Sequence, residues 1–168
     1  STSATGAPKT GAASSSSTEL GPEEPALIAD RDAFRTIVGR RMAEWKRGGA
    51  PFSVLLLRID NYQEQVARRG RQVAATIRQA MKQFLQAAVR DMDFLGMHDA
   101  RTFSLLLPLA DPAATALVAE RLGAAIANCR LPIDRAEVVL TVSLGGATVA
   151  DKDDPPGLIG RALEALDS

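Results

Sequence analysis

The sequence predicts an α+β domain in which helices pack on a mostly antiparallel sheet. Three observations lead to this prediction. Stretches with helical periodicity alternate with short apolar runs, two of those runs follow each other across a short polar break, and 168 residues suit one domain of ordinary size. The predicted order of elements is helix, strand, helix, hairpin, helix, strand, helix, which is the order of a ferredoxin-like core.

The first 22 residues differ in composition from the rest of the chain. Nineteen of them are Ser, Thr, Ala, Gly or Pro, and Leu20 is the only large apolar side chain among them. Such a segment buries too little surface to offset the entropy lost on ordering its backbone. We therefore expect a flexible linker over 1–22, attached to an upstream domain, and a folded domain over 23–168.

The first helix is predicted from an apolar stripe at three- and four-residue steps, with Asp30 as N-cap and Gly48 and Gly49 as the stop. The stripe consists of Phe34, Ile37, Val38, Met42 and Trp45. The run from Phe52 to Asp60 follows, and its lack of alternation predicts a central strand buried on both faces. A long helix comes next, with an apolar stripe from Val73 to Ala88.

The second half of the chain repeats these signals. Two apolar runs, 94–97 and 103–109, are separated by residues 98–102, and this pattern predicts a hairpin with His98 at its tip as a turn residue. Asp111 followed by Pro112 is typical of a helix start. Residues 138–149 predict another strand, and the apolar stripe from Leu158 to Leu166 predicts the last helix.

Composition excludes several classes of function. Twenty basic and twenty acidic residues cancel, so no global attraction to nucleic acid is expected, although 31–101 alone carries 14 basic and 7 acidic residues. Cys129 is the only cysteine and His98 the only histidine, which excludes an internal disulfide, a zinc cluster and a histidine-based triad. No apolar run is long enough to span a membrane, and we expect a cytoplasmic protein.

From about Leu27 to Leu166 the chain resembles a GGDEF domain, the bacterial diguanylate cyclase module that condenses two GTP into cyclic di-GMP. Several separated segments carry the resemblance. They are Asp30-Arg-Asp-Ala-Phe34 for Asn-Arg-Arg-x-Phe, Arg58-Ile-Asp60 for the Asp-x-Asp that ends the first strand, Gly70, the apolar run ending at Pro108, Thr141-Val-Ser-Leu-Gly145, and the closing helix Ala162–Leu166. The resemblance implies the nucleotidyl-cyclase-like palm fold, with this ferredoxin-like core.

The signature of that family is replaced in this chain. Asp99, Ala100, Arg101, Thr102 and Phe103 stand where the family has Gly-Gly-Asp-Glu-Phe, and Arg58 stands at the first aspartate of the strand end. In the family the glycines let the backbone approach the phosphates, and the carboxylates hold magnesium. Because arginines repel a divalent cation, we expect a degenerate domain with no bound magnesium and no cofactor, and we expect that it is not an enzyme.

One family motif is retained. Arg90-Asp-Met-Asp93 matches the Arg-x-x-Asp of the I-site, and five residues separate it from the signature position, as in the family. The resemblance implies that Arg90 and Asp93 bind cyclic di-GMP. The pattern is also short enough to occur by chance, and Arg90 could simply end a helix by complementing its dipole.

These observations lead to two hypotheses about function, and they disfavour a third, residual activity on GTP through an altered site, because no set of metal ligands remains. The first is a signalling domain that acts as a cyclic di-GMP receptor through Arg90 and Asp93. The second is a protein-interaction or dimerisation domain with no nucleotide ligand. The expected partners are accordingly cyclic di-GMP, a protein partner or upstream signalling domain, or a second copy of the chain.

Overall fold

The structure is a computed structural model that describes residues 28–168. The predicted linker, 1–22, lies outside the described residues, as do 23–27. The elements in chain order are α1 (Arg31–Lys46), β1 (Phe52–Ile59), α2 (Tyr62–Arg69), α3 (Gln72–Ala88), β2 (Phe94–Asp99), β3 (Thr102–Pro108), α4 (Pro112–Ala127), β4 (Leu131–Ile133), β5 (Ala136–Val138), β6 (Val142–Thr148) and α5 (Pro155–Asp167).

A four-stranded antiparallel sheet in the order β2-β3-β1-β6 forms the centre of the fold. Strand β1 lies in the middle and is buried along nearly all of its length, as its continuous apolar run predicts. One core cluster, which includes Leu55, Leu105 and Ile77, involves α3 and α4; the other, which includes Leu56, Leu106 and Leu158, involves α1 and α5. The predicted α+β fold with helices on a mostly antiparallel sheet is confirmed.

Three helices begin at aspartates that act as N-caps. The carboxylates of Asp30, Asp111 and Asp154 accept hydrogen bonds from the backbone N–H groups of the residues three positions later, at 2.8, 2.8 and 2.7 Å. Each cap satisfies one of the donors that a helix start leaves unpaired. The predicted helix starts at Asp30 and Asp111 are therefore confirmed, and Asp154 caps the N-terminus of α5 in the same way.

The predicted long helix is α3, and a short helix that the sequence did not predict, α2, precedes it. Gly70 has a φ of 96°, which ends α2, and α3 starts at Gln72. A left-handed residue cannot continue a right-handed helix, so the apolar stripe from Val73 belongs to α3 alone. The sequence contained this signal in Gly70, but the polar segment 62–69 has too few apolar residues to predict α2 by periodicity.

The predicted strand 138–149 is also corrected. Strand β6 begins only at Val142, and Val138 instead ends the small hairpin formed by β4 and β5. Asp134 and Arg135 connect these two strands, and both have positive φ (50° and 69°), as a two-residue turn of type I′ requires. The turn was missed because Arg is an unusual residue at a position with positive φ.

None of the helices within residues 28–168 is both long enough and apolar enough to cross a bilayer.

Candidate functional site

The signature positions form the tip of the β2–β3 hairpin. Asp99 pairs with Thr102 across the hairpin, so the turn itself consists only of Ala100 and Arg101. The Arg101 N–H donates to Asp99 Oδ1 at 3.0 Å, which stabilises the turn from within. The prediction that His98 is a turn residue at the tip is wrong, because a two-residue turn leaves His98 within β2. Thr102 and Phe103 are almost completely buried.

Arg58 lies next to the hairpin, because its register partner on β3 is Thr102. Its Nη1 donates to Asp167 Oδ1 at 2.7 Å and its Nε donates to Asp60 Oδ1 at 3.3 Å. The hydrogen bond to Asp167 is the main reason why the pKa of Arg58 is raised above its ordinary value, and Asp60 adds to the effect. Arg58 therefore joins the end of β1 to the end of α5.

Magnesium, which the family binds, requires oxygen ligands, and the carboxylate oxygens of Asp60 next to Arg58 are already engaged in hydrogen bonds. Oδ1 of Asp60 accepts from Arg58, and Oδ2 accepts from the Ser143 hydroxyl at 2.7 Å. We refer to Arg58, Asp60, Ser143 and Asp167 together as the Arg58 corner. Among residues 28–168, no group of three or more His, Cys, Asp or Glu side chains is arranged to hold a metal ion. The side chains at Arg58 and Arg101 do not fit a divalent cation, since guanidinium groups supply donors and positive charge where the metal needs acceptors.

We expect Arg58→Gln to reduce stability only modestly. The variant loses both ion pairs, but the partners are exposed (side-chain exposure 36% for Asp60 and 56% for Asp167), and such pairs contribute about 1 kcal/mol or less. Urea unfolding should show this small loss at low salt and a smaller one in 1 M NaCl, because salt screens exposed charges. A loss that is independent of salt would contradict an electrostatic role for Arg58.

Arg90 and Asp93 form a turn between α3 and β2. The Asp93 carboxylate accepts from the Arg90 N–H at 2.9 Å and from Arg90 Nη2 at 3.4 Å, and the Asp93 N–H donates to the Arg90 carbonyl at 3.0 Å. The Asp93 side chain is 5% exposed and that of Arg90 is 59% exposed. The carboxylate therefore holds the turn in place, and the guanidinium points largely into solvent.

The sequence-predicted residues form two groups, one at each end of β2. Arg58 and Asp99 to Phe103 lie together at the hairpin end, whereas Arg90 and Asp93 precede the other end of the same strand. Six strand residues at about 3.3 Å each separate the two ends by about 20 Å. The retained motif and the replaced signature are therefore two distinct sites.

The structure adds residues that the sequence did not single out. Asp167 and Ser143 reach the Arg58 corner from α5 and β6, 109 and 85 positions away in sequence, and no local pattern marks them. Next to the Arg90 turn, Met92 and Phe94 are exposed apolar side chains. The Arg41 guanidinium carbon lies 5.8 Å from the centre of the Phe94 ring. The only signal that the sequence offered for Met92 and Phe94 was their position on either side of Asp93.

Comparison with known proteins gives a consistent result. The family model described as "Diguanylate cyclase, GGDEF domain" matches residues 27–168. The diguanylate cyclase DosC of Escherichia coli K12 is 28% identical over 149 residues, which are 88% of this chain and 32% of DosC. The chain thus spans about a third of the length of this curated relative.

Solved structures show the same fold. The GGDEF domain of DgcB from Caulobacter crescentus, crystallised in complex with c-di-GMP, has a TM-score of 0.80 at 18% identity, covering 90% of this chain and 89% of that one. The diguanylate cyclase SiaD of Pseudomonas aeruginosa, crystallised with its activator SiaC, has a TM-score of 0.78 at 17% identity, covering 83% of this chain and 54% of SiaD. At these identities the likeness concerns the fold alone.

The prediction that this chain is not an enzyme is contradicted by these findings. The matching family model describes an enzyme domain, and the curated relative is named a diguanylate cyclase. The prediction rested on single residues at Arg58 and 99–102, and substitutions at those positions do not remove the chain from an enzyme family.

Proposed function

The chain belongs to the GGDEF family of diguanylate cyclase domains, and on that premise we propose that it is a signalling domain that binds cyclic di-GMP through Arg90 and Asp93. The ligand presents phosphate groups and guanine bases. A guanidinium pairs with phosphate or with the Hoogsteen edge of guanine, and a carboxylate accepts from guanine N1 and N2. Both groups of the motif therefore have a matching partner on the ligand.

The observation that carries this proposal is the unequal exposure of the two side chains. The Asp93 carboxylate accepts a hydrogen bond from the Arg90 N–H, so the turn is already formed in the free protein. Binding therefore loses little conformational entropy through ordering of this turn. The Arg90 guanidinium is exposed, and its 3.4 Å contact with Asp93 is a weak surface pair. Arg90 can exchange this contact for a ligand phosphate at little cost, and Asp93 Oδ1 is then released to accept from guanine.

The surface beside the turn also suits a nucleotide. Met92 is 43% exposed and Phe94 is 37% exposed, and both are next to Asp93 in sequence. The flat face of a base can stack on an aromatic ring, and Arg41 already contacts the Phe94 ring from one side. The DgcB domain, which shares this fold, was crystallised with c-di-GMP. These points support a base-binding role for the surface around Arg90.

The same exposed apolar residues favour a second candidate, a protein-interaction or dimerisation domain without nucleotide ligand. Exposed Met and Phe side chains are common in interface centres. SiaD, a related structure, was crystallised with a protein activator. The two candidates differ in one measurable respect, because only the first requires cyclic di-GMP to bind to the isolated chain.

Isothermal titration with cyclic di-GMP tests the proposal. We expect saturable binding by the wild-type protein and binding at least about tenfold weaker for Arg90→Ala, a loss of about 1.4 kcal/mol or more. Asp93→Asn should also bind more weakly, because a neutral amide accepts less strongly from guanine. Asp91→Asn is the matched control, since Asp91 lies in the same turn at a position where the Arg-x-x-Asp motif accepts any residue, and it should bind like the wild type.

Two outcomes would contradict the proposal. No heat for the wild-type protein at about 50 µM, a concentration that detects micromolar affinity, would favour the protein-interaction candidate. Equal binding by the wild type and Arg90→Ala would move the ligand to another surface. Circular dichroism of each variant confirms that the fold is intact before the titrations are compared.

A further inference from the structure

A cavity of about 140 Å³ lies between α1, α5 and the hairpin end of β2 and β3. It is lined on its polar side by Arg31, Arg35, His98 and Ser104, and on its apolar side by residues that include Phe34 and Leu163. No residue of the Arg90 turn or of the Arg58 corner contributes to it. The cavity is therefore a separate feature, and a ligand bound in it would be independent of cyclic di-GMP binding at Arg90.

Ser104 is the unusual residue of this cavity. It is 1% exposed, and its Oγ has no hydrogen-bond partner among residues 28–168. A buried hydroxyl without a partner costs free energy, and natural structures contain few of them. Gly96 lies opposite Ser104 on β2, and a Cβ at position 96 would come within 3.1 Å of Ser104 Oγ. The Ser104 hydroxyl is therefore buried with no acceptor for its proton, and an oxygen of a ligand in the cavity would supply that acceptor.

The remaining polar groups favour a negative ligand. Arg31 and Arg35 lie one helical turn apart on α1, and neither forms an ion pair within the described part of the chain. Arg31 occupies the first turn of α1, where the helix dipole is also positive, although the Asp30 cap offsets part of it. Two guanidinium groups and a free hydroxyl together form a donor set for a carboxylate or another oxyanion.

His98 adds a neutral donor at physiological pH. Its pKa is lowered from the ordinary value, first by burial and then by the positive charge of Arg31, while Asp99 acts in the opposite direction. The neutral imidazole still carries one N–H. An anion bound between His98 and Arg31 would stabilise the imidazolium, so the pKa of His98 reports directly on occupancy.

The size and the apolar walls restrict the ligand further. A dry apolar cavity of about 150 Å³ holds one benzene molecule, so this cavity accepts roughly six non-hydrogen atoms. Phe34 is 2% exposed and Leu163 packs against the same core cluster, so the wall they form suits a hydrocarbon stem. We propose that this cavity is a binding site for a short-chain aliphatic carboxylate, with the carboxylate at Arg31, Arg35 and Ser104 and the stem against Phe34 and Leu163.

The single histidine makes the test direct. His98 ring resonances are observed by NMR while sodium butyrate is added at constant ionic strength. We expect a saturable shift with a dissociation constant of about 1–10 mM, ordinary for a ligand of this size, and a rise in the pKa of His98. Butyramide, which has the same shape without the charge, should bind at least about tenfold more weakly if the guanidinium groups recognise the anion.

Variants assign the shift to the proposed residues. Arg31→Gln and Ser104→Ala should each weaken butyrate binding several-fold, and Ser104→Ala should not lower the unfolding midpoint, because its hydroxyl has no partner to lose. Arg40→Gln is the control: residue 40 lies nine positions after Arg31, about 180° around α1, and should bind like the wild type.

Each contrary result would overturn the proposal. The absence of a saturable shift up to about 50 mM butyrate would show that the cavity binds no carboxylate of this size at ordinary affinity. Equal shifts with butyrate and butyramide would show apolar filling without anion recognition. Equal binding of inorganic phosphate and butyrate would show that only charge is recognised and that the apolar wall contributes nothing.

Discussion

Replacing Gly145 with alanine is expected to destabilise the fold severely, although it adds only one methyl group. A Cβ at position 145 would lie 2.1 Å from the backbone nitrogen of Leu166 and 2.7 Å from the carbonyl oxygen of Ala162. Both atoms belong to the backbone of α5, so no side-chain rotation relieves the overlap. The helix would have to move away from β6, and its buried residues Leu158 and Ala162 would lose their packing.

We expect a loss of about 3–5 kcal/mol for Gly145→Ala, at or above the upper range for overpacked cores because the obstacle is backbone. Urea unfolding followed by circular dichroism measures it. Gly160→Ala is the matched control on α5 itself, where nothing lies within 4 Å of the added methyl. That variant should be neutral or more stable by about 0.5–1 kcal/mol, since alanine is the better helix former. Equal midpoints for Gly145→Ala and the wild type would disprove the close approach of α5 to β6.

The second large effect is expected for Asp153→Asn. The Asp153 carboxylate is 5% exposed, accepts from Arg161 Nε at 3.1 Å and from Arg161 Nη2, and also accepts from the Ala150 N–H at 2.9 Å. Arg161 in turn donates to the Thr148 carbonyl at 2.7 Å. This network connects α5 to the end of β6 and to the loop between them. Removing the charge leaves Arg161 with a weaker partner at a partly buried position.

At pH 7 we expect Asp153→Asn to lose about 2 kcal/mol, below the usual range for a buried pair because the Arg161 side chain is 38% exposed. The hydrogen bond from Arg161 is the main reason why the pKa of Asp153 is lowered in the folded protein. A lowered pKa contributes stability above the unfolded value of about 3.9, and that stability is lost as the pH falls through the folded pKa.

The wild type should therefore lose its advantage over Asp153→Asn in acid. Urea midpoints of both proteins at pH 7 and near pH 3 measure the difference, which should shrink at the lower pH. Asp151→Asn provides the control, because Asp151 is exposed in the same loop. A difference between wild type and Asp153→Asn that stays constant with pH would assign the loss to packing instead of charge.

Local sequence signals predicted most of the elements. Asp30 and Asp111 marked helix starts because a cap needs only one side chain and the N–H group three residues on. The continuous run from Phe52 marked the central strand because burial on both faces leaves no alternation. The hairpin turn was predicted as too long, because the number of residues in a turn depends on strand register, which Asp99 and Thr102 define only as a pair.

The candidate sites depended more heavily on tertiary structure. The sequence identified Arg90 and Asp93 as a motif, but only the fold distinguishes the exposed guanidinium from the buried carboxylate. It identified Arg58 as a replaced residue, but its principal partner, Asp167, comes from the last helix. The cavity beside Ser104 had no sequence signal, since a serine in an apolar strand shows neither its missing partner nor the glycine opposite.

The sequence by itself determined the family, the order of elements and the chemical character of the two motifs at opposite ends of β2. These properties depend on residue type and on spacing along a few turns or one strand. Tertiary structure alone decided which charged side chains form ion pairs and which buried hydroxyl lacks a hydrogen-bond partner. It also decided where a glycine allows a helix to pack closely against a strand. Those outcomes depend on contacts between residues such as Gly145 and Leu166, which approach each other only when β6 and α5 pack together.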